Sequence, residues 1–396
     1  MKNLFALIIV LVFFAGFCRG QAAGWVGTWG CAPQLVEPRN MPPAPGLADN
    51  TLRQVVQVSI GGTKLRVKFS NVFGKSTIIL ASAQIALSTG GSAIQTNTDT
   101  QLTFNGGPTV AIPAGESAWS DPFNFNLPPL TDVAVTTCFG DMSAAVTGHP
   151  GSRTTSYLQP GDAVIAADLP NAVTMAHWYI LNTIDVQSAN AGGAVVVLGD
   201  SITDGRGSGT DKNDRWPDDL ERRLQADPDT ANVAMLNMGI GGNCVLRGGL
   251  GPTALSRFDR DVLSQSDAHW LIVFEGVNDI GGSRNASVAT NLIAAFGKFI
   301  TQAHGRHIRV YGATITPFGG SFYDRPMNET ARETVNDWIR HSGAFDGVID
   351  FDAAIRDPEN PTHLLPAGDS GDHLHPDEKG YQIMAEAVDL KLFQRF

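Results

Sequence analysis

The spacing of apolar and polar positions changes about halfway along the chain. Between residues 25 and 186, apolar and polar residues alternate within short segments, and turns containing Gly or Pro separate these segments. The clearest case flanks Gly61-Gly62, where two alternating runs are the sequence signal of a β-hairpin. Because no amphipathic helix interrupts the series, this half is predicted to be an all-β sandwich or a jelly-roll-like domain.

From residue 194 the pattern becomes one of apolar strands separated by helical segments. Residues 194–198 are all apolar, as in a strand that is buried on both faces. Further strands are predicted near residues 233–238, 270–274, 308–314 and 347–351, and helices near residues 216–225, 253–265, 288–302, 328–342 and 377–393. Such strand–helix units predict an α/β domain with a doubly wound parallel sheet and helices on both faces.

The N-terminus has the pattern of a targeting segment. Lys2 precedes an apolar run over residues 4–17, and small or polar residues follow, as in a secretory signal peptide. The run is shorter than the ~20 residues that span a bilayer, which disfavours an uncleaved anchor. A lipoprotein cleaved at Cys18 is a further alternative. We therefore expect a secreted protein, or a periplasmic one in a Gram-negative bacterium, with no stable membrane insertion after cleavage.

The same patterns divide the chain. We expect a signal peptide at residues 1–23, a β-sandwich-like accessory domain at residues 24–187 and a linker at residues 188–193. An α/β catalytic domain is expected at residues 194–396. The linker is predicted from its small and polar residues.

Charge narrows the classes of partner. The 396 residues carry a formal net charge of −11, and no run of Lys or Arg interrupts the acidic balance. An acidic protein of this kind is a poor ligand for nucleic acids and for anionic membranes. Composition therefore favours a neutral or only mildly charged substrate.

Three cysteines remain after removal of the signal peptide, namely Cys31, Cys138 and Cys244. An odd number permits at most one internal disulfide. Cys31 and Cys138 lie in the same half of the chain and are the favoured pair, with three unpaired thiols as the alternative.

A candidate nucleophile follows the first apolar strand. Ser201, in Gly199-Asp200-Ser201, lies where open α/β sheets bind their ligands, at the carboxyl end of a buried parallel strand. A serine hydroxyl needs an adjacent base that a third group orients. Asp372 and His375 are three residues apart, so the carboxylate can reach the imidazole Nδ1–H and leave Nε2 facing Ser201. His373 is the rival base, but it has no partner at this spacing.

Two further strand ends carry candidate hydrogen-bond donors for an oxyanion. A glycine-rich segment, residues 237–243, follows the second strand, and Asn278 follows the third. Because the carboxyl ends of parallel strands meet at one edge of the sheet, we expect both segments to lie near Ser201.

These four segments, in this order, resemble the conserved blocks of the SGNH (GDSL) hydrolases. The matching segments are Gly199-Asp200-Ser201, residues 237–242, Gly276-Val277-Asn278-Asp279 and Asp372-His373-Leu374-His375. The resemblance implies a flavodoxin-like three-layer α/β/α fold and an ester hydrolase that needs no cofactor or metal. The first half also resembles the β-rich module of a two-domain secreted branch of this family.

The resemblance also implies a role for each residue. Ser201 would be the nucleophile and His375 the general base and acid, with Asp372 orienting the imidazole. The oxyanion hole would consist of the Ser201 and Gly242 backbone N–H groups and the Asn278 side chain, with Gly242 preferred to Gly241.

The favoured function is therefore a secreted serine esterase that acts on O-acyl esters, above all O-acetyl esters, of a carbohydrate or polysaccharide. A lipid or aryl esterase is the main alternative, and a non-catalytic carbohydrate-binding protein is a third. A metal hydrolase built on Asp369, Asp372, His373 and His375 is disfavoured, because it would leave the Ser201 segment unexplained. The sequence does not indicate an oligomeric state.

Overall fold

The computed structural model describes residues 24–188 and 190–394, so the predicted signal peptide lies outside the described residues. We call residues 24–188 the β-rich half and residues 190–394 the α/β half. The strands of the β-rich half are β1 (Trp25–Gly30), β2 (Gln34–Leu35), β3 (Asn50–Gln57), β4 (Gly62–Ser70), β5 (Ile78–Gly90), β6 (Ala93–Ile94), β7 (Thr100–Gln101), β8 (Val110–Ile112), β9 (Ser117–Trp119), β10 (Phe123–Leu127), β11 (Asp132–Phe139), β12 (Thr147–His149), β13 (Ser156–Pro160), β14 (Val173–Met175), β15 (Trp178–Tyr179) and β16 (Leu181–Gln187).

Two large antiparallel sheets form the β-rich half. One has the order β1-β16-β4-β10, with β9 also on β4, and the other has the order β14-β13-β3-β11-β5-β6, with β7 and β8 on β5. Leu65 and Val67 alternate with half-exposed residues along β4, and they share one apolar core with Leu52 and Val56 of β3. Two sheets around one core are the predicted all-β sandwich. A small third sheet, β15-β12-β2, lies beside them.

The cysteines depart from the favoured pairing. Cys31 follows β1 in one large sheet, whereas Cys138 lies in β11 of the other, and both thiols are free and buried. Cys244 is free and buried as well. The predicted Cys31–Cys138 disulfide is therefore wrong, and the alternative of three unpaired thiols holds. Sequence position placed the two cysteines in one half of the chain but could not place them in different sheets.

The α/β half contains a parallel five-stranded sheet with the order β18-β17-β19-β20-β21. These strands are β17 (Gly193–Gly199), β18 (Val233–Gly239), β19 (Ala268–Phe274), β20 (Arg309–Ala313) and β21 (Gly347–Ile349). In sequence order this is 2-1-3-4-5, the doubly wound order of flavodoxin-like folds. The predicted fold class, an α/β domain after an all-β domain, is confirmed.

Eight α-helices are described in this half. They are α1 (Ser201–Asp204), α2 (Trp216–Ala226), α3 (Ala254–Phe258), α4 (Val277–Gly282), α5 (Val288–His304), α6 (Pro326–His341), α7 (Phe351–Ile355) and α8 (Glu378–Glu386). The β-rich half has short 3-10 helices at Pro38–Asn40 and Thr96–Thr98. The α/β half has two more, at Pro366–Gly368 and Leu390–Phe393, and a π-helical turn at Asp259–Leu263. None of these helices is long and apolar enough to cross a membrane.

Two predicted helices are interrupted. The segment predicted at residues 253–265 is α3 followed by the π-helical turn, and the segment predicted at residues 377–393 ends as an α-helix at Glu386. Val388 and Phe393 beyond that end are buried, so the apolar pattern continues although the helix does not. Periodicity alone could not locate the break.

The two halves pack directly against each other. A Cβ atom at Gly27 would lie 2.8 Å from Leu236 Cδ1, and one at Gly30 would lie 2.8 Å from Met238 Cε. These glycines let β1 of the β-rich half approach β18 of the α/β half. The backbone N–H of Gly27 also donates to Ser266 O at 3.2 Å. The β-rich half is therefore joined to the parallel sheet by close packing.

Candidate active site

The candidate nucleophile stands on a tight turn between β17 and α1. Asp200 caps α1 by accepting a hydrogen bond from the Ile202 backbone N–H at 3.0 Å, and Gly205 ends the helix with φ +98°. A Cβ atom at Gly199 would lie 2.2 Å from Thr203 Oγ1, so only glycine permits this turn. The turn holds Ser201 at the carboxyl end of the first strand.

Ser201, His375 and Asp372 form one chain of hydrogen bonds. Ser201 Oγ lies 2.8 Å from His375 Nε2, and His375 Nδ1 lies 2.7 Å from Asp372 Oδ2. Asp372 Oδ1 accepts from the backbone N–H groups of Leu374 at 3.1 Å and His375 at 2.9 Å. The structure thus brings together three predicted site residues that are as much as 174 positions apart.

Burial and neighbouring charges shift the pKa values of both His375 and Asp372. Burial lowers the pKa of His375 below its ordinary value; the hydrogen bond and charge of Asp372 oppose this, and the positive charges of Arg206 and Arg153 lower it further. Burial disfavours the Asp372 carboxylate, but the hydrogen bonds from His375 outweigh burial and lower the pKa of Asp372 to about 2. At neutral pH the imidazole is therefore a free base beside an ionised carboxylate.

The predicted oxyanion donors line the same cleft as Ser201. Gly242 lies there with φ +69°, a left-handed backbone that favours glycine, and Gly241 lines the cleft beside it. Asn278 Nδ2 donates one hydrogen to Asn243 O at 2.8 Å. The second hydrogen of this amide has no partner within the described residues and is available to a ligand.

Tyr323 is a functional candidate that the sequence analysis missed. Its hydroxyl donates to Asn278 Oδ1 at 3.0 Å, so the Asn278 amide is held at its oxygen by Tyr323 and at its nitrogen by Asn243. Tyr323 lies between β20 and α6 in a loop without any of the four sequence blocks. No spacing signal could have identified it.

A buried arginine holds the strand ends below the site. The Arg257 guanidinium donates to Gly199 O at 3.0 Å, to Met238 O at 2.6 Å and to Asn243 Oδ1 at 3.1 Å. Because the carbonyl of Asn243 accepts from Asn278, Arg257 supports both the turn that carries Ser201 and the candidate oxyanion donor.

The carboxyl groups near Arg257 are buried as well. Burial raises the pKa of Asp200 to about 7, and burial together with the charge of Asp200 raises the pKa of Glu275 well above its ordinary value. Glu275 lies 3.2 Å from Arg257 Nη2. Asp200, Arg257 and Glu275 lie beneath the turn that carries Ser201 and do not line the cleft.

His373, the rival base, points elsewhere. Its Nδ1 lies 2.6 Å from Asp369 Oδ2, and half of its side chain is exposed. It therefore does have a carboxylate partner, four residues earlier, contrary to the expectation from spacing. Within the described residues, no group of three or more His, Cys, Asp or Glu side chains is arranged to hold a metal ion.

The β-rich half forms one wall of the cleft. The cleft has a volume of about 330 Å³, and residues within the segments 34–40 and 150–153 line it opposite Ser201 and His375. A second cavity of about 1040 Å³ continues from it. Residues that line both are Gly242, Leu250, Asn278 and Tyr323.

A buried polar contact fixes this wall. His149 Nε2 lies 2.8 Å from Asp204 Oδ1 at the end of α1, and His149 Nδ1 donates to Ala32 O at 2.9 Å. A Cβ atom at Gly151 would lie only 1.9 Å from Asp204 Oδ2. The loop after β12 is therefore seated on the helix that begins with Ser201.

Part of the chain is similar to a known protein family. The sequence model of the GDSL-like Lipase/Acylhydrolase family matches residues 197–383. The search of curated proteins found no match. Similar solved structures include Axe2, an acetylxylan esterase from Geobacillus stearothermophilus, with 21% identity over 52% of this chain and 96% of that chain and a TM-score of 0.39.

Two more solved structures are similar to the chain to about the same degree. LAE5, an α/β hydrolase enzyme from the metagenome of Lake Arreo, Spain, is 19% identical over 51% of this chain and 95% of that chain, with a TM-score of 0.39. A GDSL-like lipase from Bacteroides thetaiotaomicron VPI-5482 is 18% identical over 51% of this chain and 88% of that chain, with a TM-score of 0.37. The resemblance predicted from the four sequence blocks is confirmed, because residues 197–383 match the GDSL-like Lipase/Acylhydrolase family.

Proposed function

We propose that this protein is a secreted serine esterase that removes small acyl groups, above all acetyl groups, from hydroxyls of a carbohydrate. The observation that carries the proposal is the hydrogen-bonded chain from Ser201 through His375 to Asp372, which opens on a cleft shared with the Asn278 amide. These groups are suited to act as nucleophile, neutral base, orienting carboxylate and oxyanion donor, which supports the proposal.

In the proposed reaction, Ser201 Oγ attacks the ester carbonyl carbon while His375 Nε2 accepts its proton. Asp372 stabilises the imidazolium that forms. The proton then passes from His375 to the leaving alcohol as the carbon–oxygen bond breaks, which leaves an acyl group on Ser201. Water, deprotonated by His375, attacks this acyl-enzyme, releases the acid and restores Ser201.

The negative oxygen of each tetrahedral intermediate would be bound by backbone N–H groups of Ser201 and Gly242 and by the free amide hydrogen of Asn278. Because Tyr323 and Asn243 fix the Asn278 amide before substrate arrives, the donor needs no reorganisation.

Two features favour a short acyl group on a carbohydrate. Gly241 and Gly242 add no side chains of their own to the cleft beside the candidate oxyanion donors. The adjoining cavity of about 1040 Å³ is large enough for several sugar units, and many side chains along it are polar. These polar lining residues are Asn285, Ser283, Ser287, Asn291 and Lys298.

An aryl or lipid ester is the second candidate. Phe322 is 69% exposed and Leu250 is 39% exposed, and both line the cleft. Exposed apolar side chains at a cleft would also suit an aromatic or aliphatic group.

Secretion rests on the sequence of residues 1–23 alone. We propose that the mature chain begins near residue 24 and comprises the β-sandwich-like and catalytic domains predicted above. N-terminal sequencing of protein recovered from the culture medium or the periplasm tests this. An intact residue 1 on the exported protein would contradict it.

The function is tested by comparing acetate release from acetylated xylan and acetylated pectin with cleavage of p-nitrophenyl acetate, octanoate and palmitate. Wild type and Ser201→Ala are assayed side by side after a thermal melt has shown that both are folded. Acetate release from a polymer that disappears in Ser201→Ala supports the proposal. Ser201-dependent cleavage of only the synthetic esters favours the second candidate, and no Ser201-dependent turnover contradicts both.

A further inference from the structure

A histidine of the β-rich half has a hydrogen-bond acceptor on each side of its ring. His149 Nδ1 lies 2.9 Å from Ala32 O, and His149 Nε2 lies 2.8 Å from Asp204 Oδ1. A carbonyl oxygen can only accept, so Nδ1 must carry a proton. The opposite nitrogen faces a carboxylate oxygen, which can also only accept unless it is protonated. The two side chains therefore need one further proton between Nε2 and Oδ1.

Packing holds the ring between these two acceptors. The His149 ring stacks on Trp178, with the ring centroids 5.7 Å apart and an angle of 28° between the planes. The side chains of His149 and Asp204 are only 4% and 3% exposed. Bulk water therefore does not take the place of either hydrogen bond, and leaving one of them unmade would be costly.

The pair of His149 and Asp204 thus needs two protons in the folded protein. The count is the same whether the second proton lies on Nε2 or on Oδ1. A free imidazole titrates at about pH 6.5 and a free aspartate at about pH 3.9, so above about pH 7 the separated groups hold one proton between them. Folding of the two halves against each other is therefore coupled to the uptake of one proton.

Neighbouring charged groups do not replace this proton. Arg215 lines a small cavity beside the pair, but its guanidinium is bound to Asp218 by hydrogen bonds of 2.6 and 2.9 Å. Glu221 lines the same cavity of about 20 Å³, and burial raises the pKa of Glu221 well above its ordinary value. Within the described residues, His149 is the only hydrogen-bond partner of the Asp204 carboxylate.

The other titratable groups around the pair have hydrogen bonds of their own. His177 Nδ1 lies 2.6 Å from Pro150 O, a bond that needs only one proton on the ring. Tyr381 donates its hydroxyl to Arg206 O at 2.6 Å, and burial raises the pKa of Tyr381 well above its ordinary value. Burial raises the pKa of the Cys31 thiol as well. In the part of the chain that the structure describes, none of these groups donates to the pair.

The pair joins the two walls of the cleft. Asp204 ends α1, the single helical turn that begins with Ser201, and the Asp204 backbone N–H donates to Asp200 O at 2.8 Å. His149 ends β12, and the loop that follows it lines the cleft within residues 150–153. Without the second proton, two lone pairs would face each other across 2.8 Å, and this repulsion would separate the loop from α1.

We propose that this second proton positions α1 and the loop at residues 149–153, so that the cleft loosens and activity falls when the proton is lost at alkaline pH. His149 acts through Asp204 and does not line the cleft, so it is a positioning residue. The effect on activity rests on the proposed function. The proton count rests only on the two hydrogen bonds and is tested without a substrate.

The pH dependence of stability measures the extra proton. In wild type the unfolded chain binds one proton fewer than the folded chain, so stability falls as pH rises above about 7. In Asp204→Asn the new amide can donate to an unprotonated Nε2, which keeps the hydrogen bond without the extra proton. Chemical denaturation should therefore show that the unfolding equilibrium constant of wild type rises more steeply than that of Asp204→Asn, by up to about tenfold per pH unit.

Asp337→Asn is the matched control. Asp337 and His341 form a pair of the same kind on α6, at 2.8 Å, but their side chains are 77% and 70% exposed, so water can satisfy both groups. This substitution should leave the wild-type slope unchanged. Groups such as Asp200 titrate in every variant, so the difference between two slopes is the measure. If Asp204→Asn is unstable, His149→Gln removes the titrating ring and should reduce the slope as well.

The alkaline limb of activity tests the positioning role. Acetate release is measured over the same pH range, and the rate of Ser201→Ala is subtracted at each pH. The kcat/KM of wild type should fall about 2- to 5-fold on the alkaline side, because a small displacement of the reacting groups slows the reaction. Asp204→Asn should lack this fall, and Asp337→Asn should keep it.

Each outcome decides a different part. Equal stability slopes in wild type and Asp204→Asn would overturn the proton count. Unequal slopes combined with the same alkaline activity profile in both proteins would overturn the positioning role. Absence of Ser201-dependent acetate release at every pH would overturn the proposed function, and the stability slopes would still decide whether the pair takes up a proton.

Discussion

The two walls of the cleft are built in different ways. The α/β wall carries Ser201 and Asn278 just after β17 and β19, where the parallel sheet fixes their positions, and it carries Asp372 and His375 in the segment before α8. The β-rich wall consists of loops after short strands, and its position depends on contacts such as His149 with Asp204. The proposed reacting groups lie on the first wall, and residues within the segments 34–40 and 150–153 line the second. The first wall is therefore positioned by hydrogen bonds within the α/β half, and the second by individual contacts between the two halves.

Removal of the candidate base, His375, should have the largest effect on activity. His375→Ala should reduce kcat at least about 10⁴-fold on every ester, because Ser201 loses its proton acceptor. Acetate release and p-nitrophenol release measure this. His373→Ala is the control, since that side chain is exposed and paired with Asp369. Equal losses in both variants would contradict the assignment of His375.

A smaller loss should follow from removal of the oxyanion donor. Asn278→Ala should reduce kcat on the order of 10²–10³-fold with KM little changed, because the amide binds charge that develops only in the transition state. Tyr323→Phe keeps the amide but removes the bond that orients it, so its loss should be smaller. Tyr157→Phe, in a half-exposed strand residue of the β-rich half, serves as the control. A change in KM alone would count against the role of Asn278.

Breaking the contact between the walls should affect stability more than reaction rate. His149→Ala leaves the buried Asp204 oxygen without its partner and should lower the free energy of unfolding by about 1–3 kcal/mol. Chemical denaturation measures this, and a double-mutant cycle with Asp204→Asn isolates the pairwise part. Additive effects of the two substitutions would show that the pair is not coupled.

The smallest effect concerns pH. His375 must be neutral to accept a proton, so kcat/KM should fall as pH drops through its pKa. Because burial lowers that pKa, the midpoint of this acid limb should lie below 6.5. Arg206→Gln removes a positive charge, so it should raise the pKa of His375 and move the limb to higher pH. The movement should be small, since the Arg206 side chain is 62% exposed. A limb that stays in place or moves to lower pH would contradict this electrostatic account.

Much of the fold was predictable because parallel strands are continuous apolar runs. The strand predicted at residues 194–198 is observed as β17, one residue longer at each end. Helices α1, α4 and α7 escaped prediction because they have four to six residues, too few for a helical period to appear. The end of α8 at Glu386 could not be predicted, because buried apolar residues continue beyond it.

The residues of the site also differ in whether a sequence pattern could identify them. Ser201, Asp372, His375 and Asn278 were selected by short motifs, and the structure places them around one cleft. The cleft-lining residues of the segment 150–153 could not be found in this way, since their positions depend on a turn of the other half of the chain and on how that turn packs against α1.

The contact of Gly151 with Asp204 has a consequence for evolution and for protein engineering. A side chain at position 151 would collide with the acid that ends the nucleophile helix, so the two surfaces must change together. The halves therefore cannot be shuffled as independent modules. A chimaera that joins this hydrolase domain to a foreign β-sandwich would need the loop at residues 149–153 as well. Inheritance of this cleft requires inheritance of both halves.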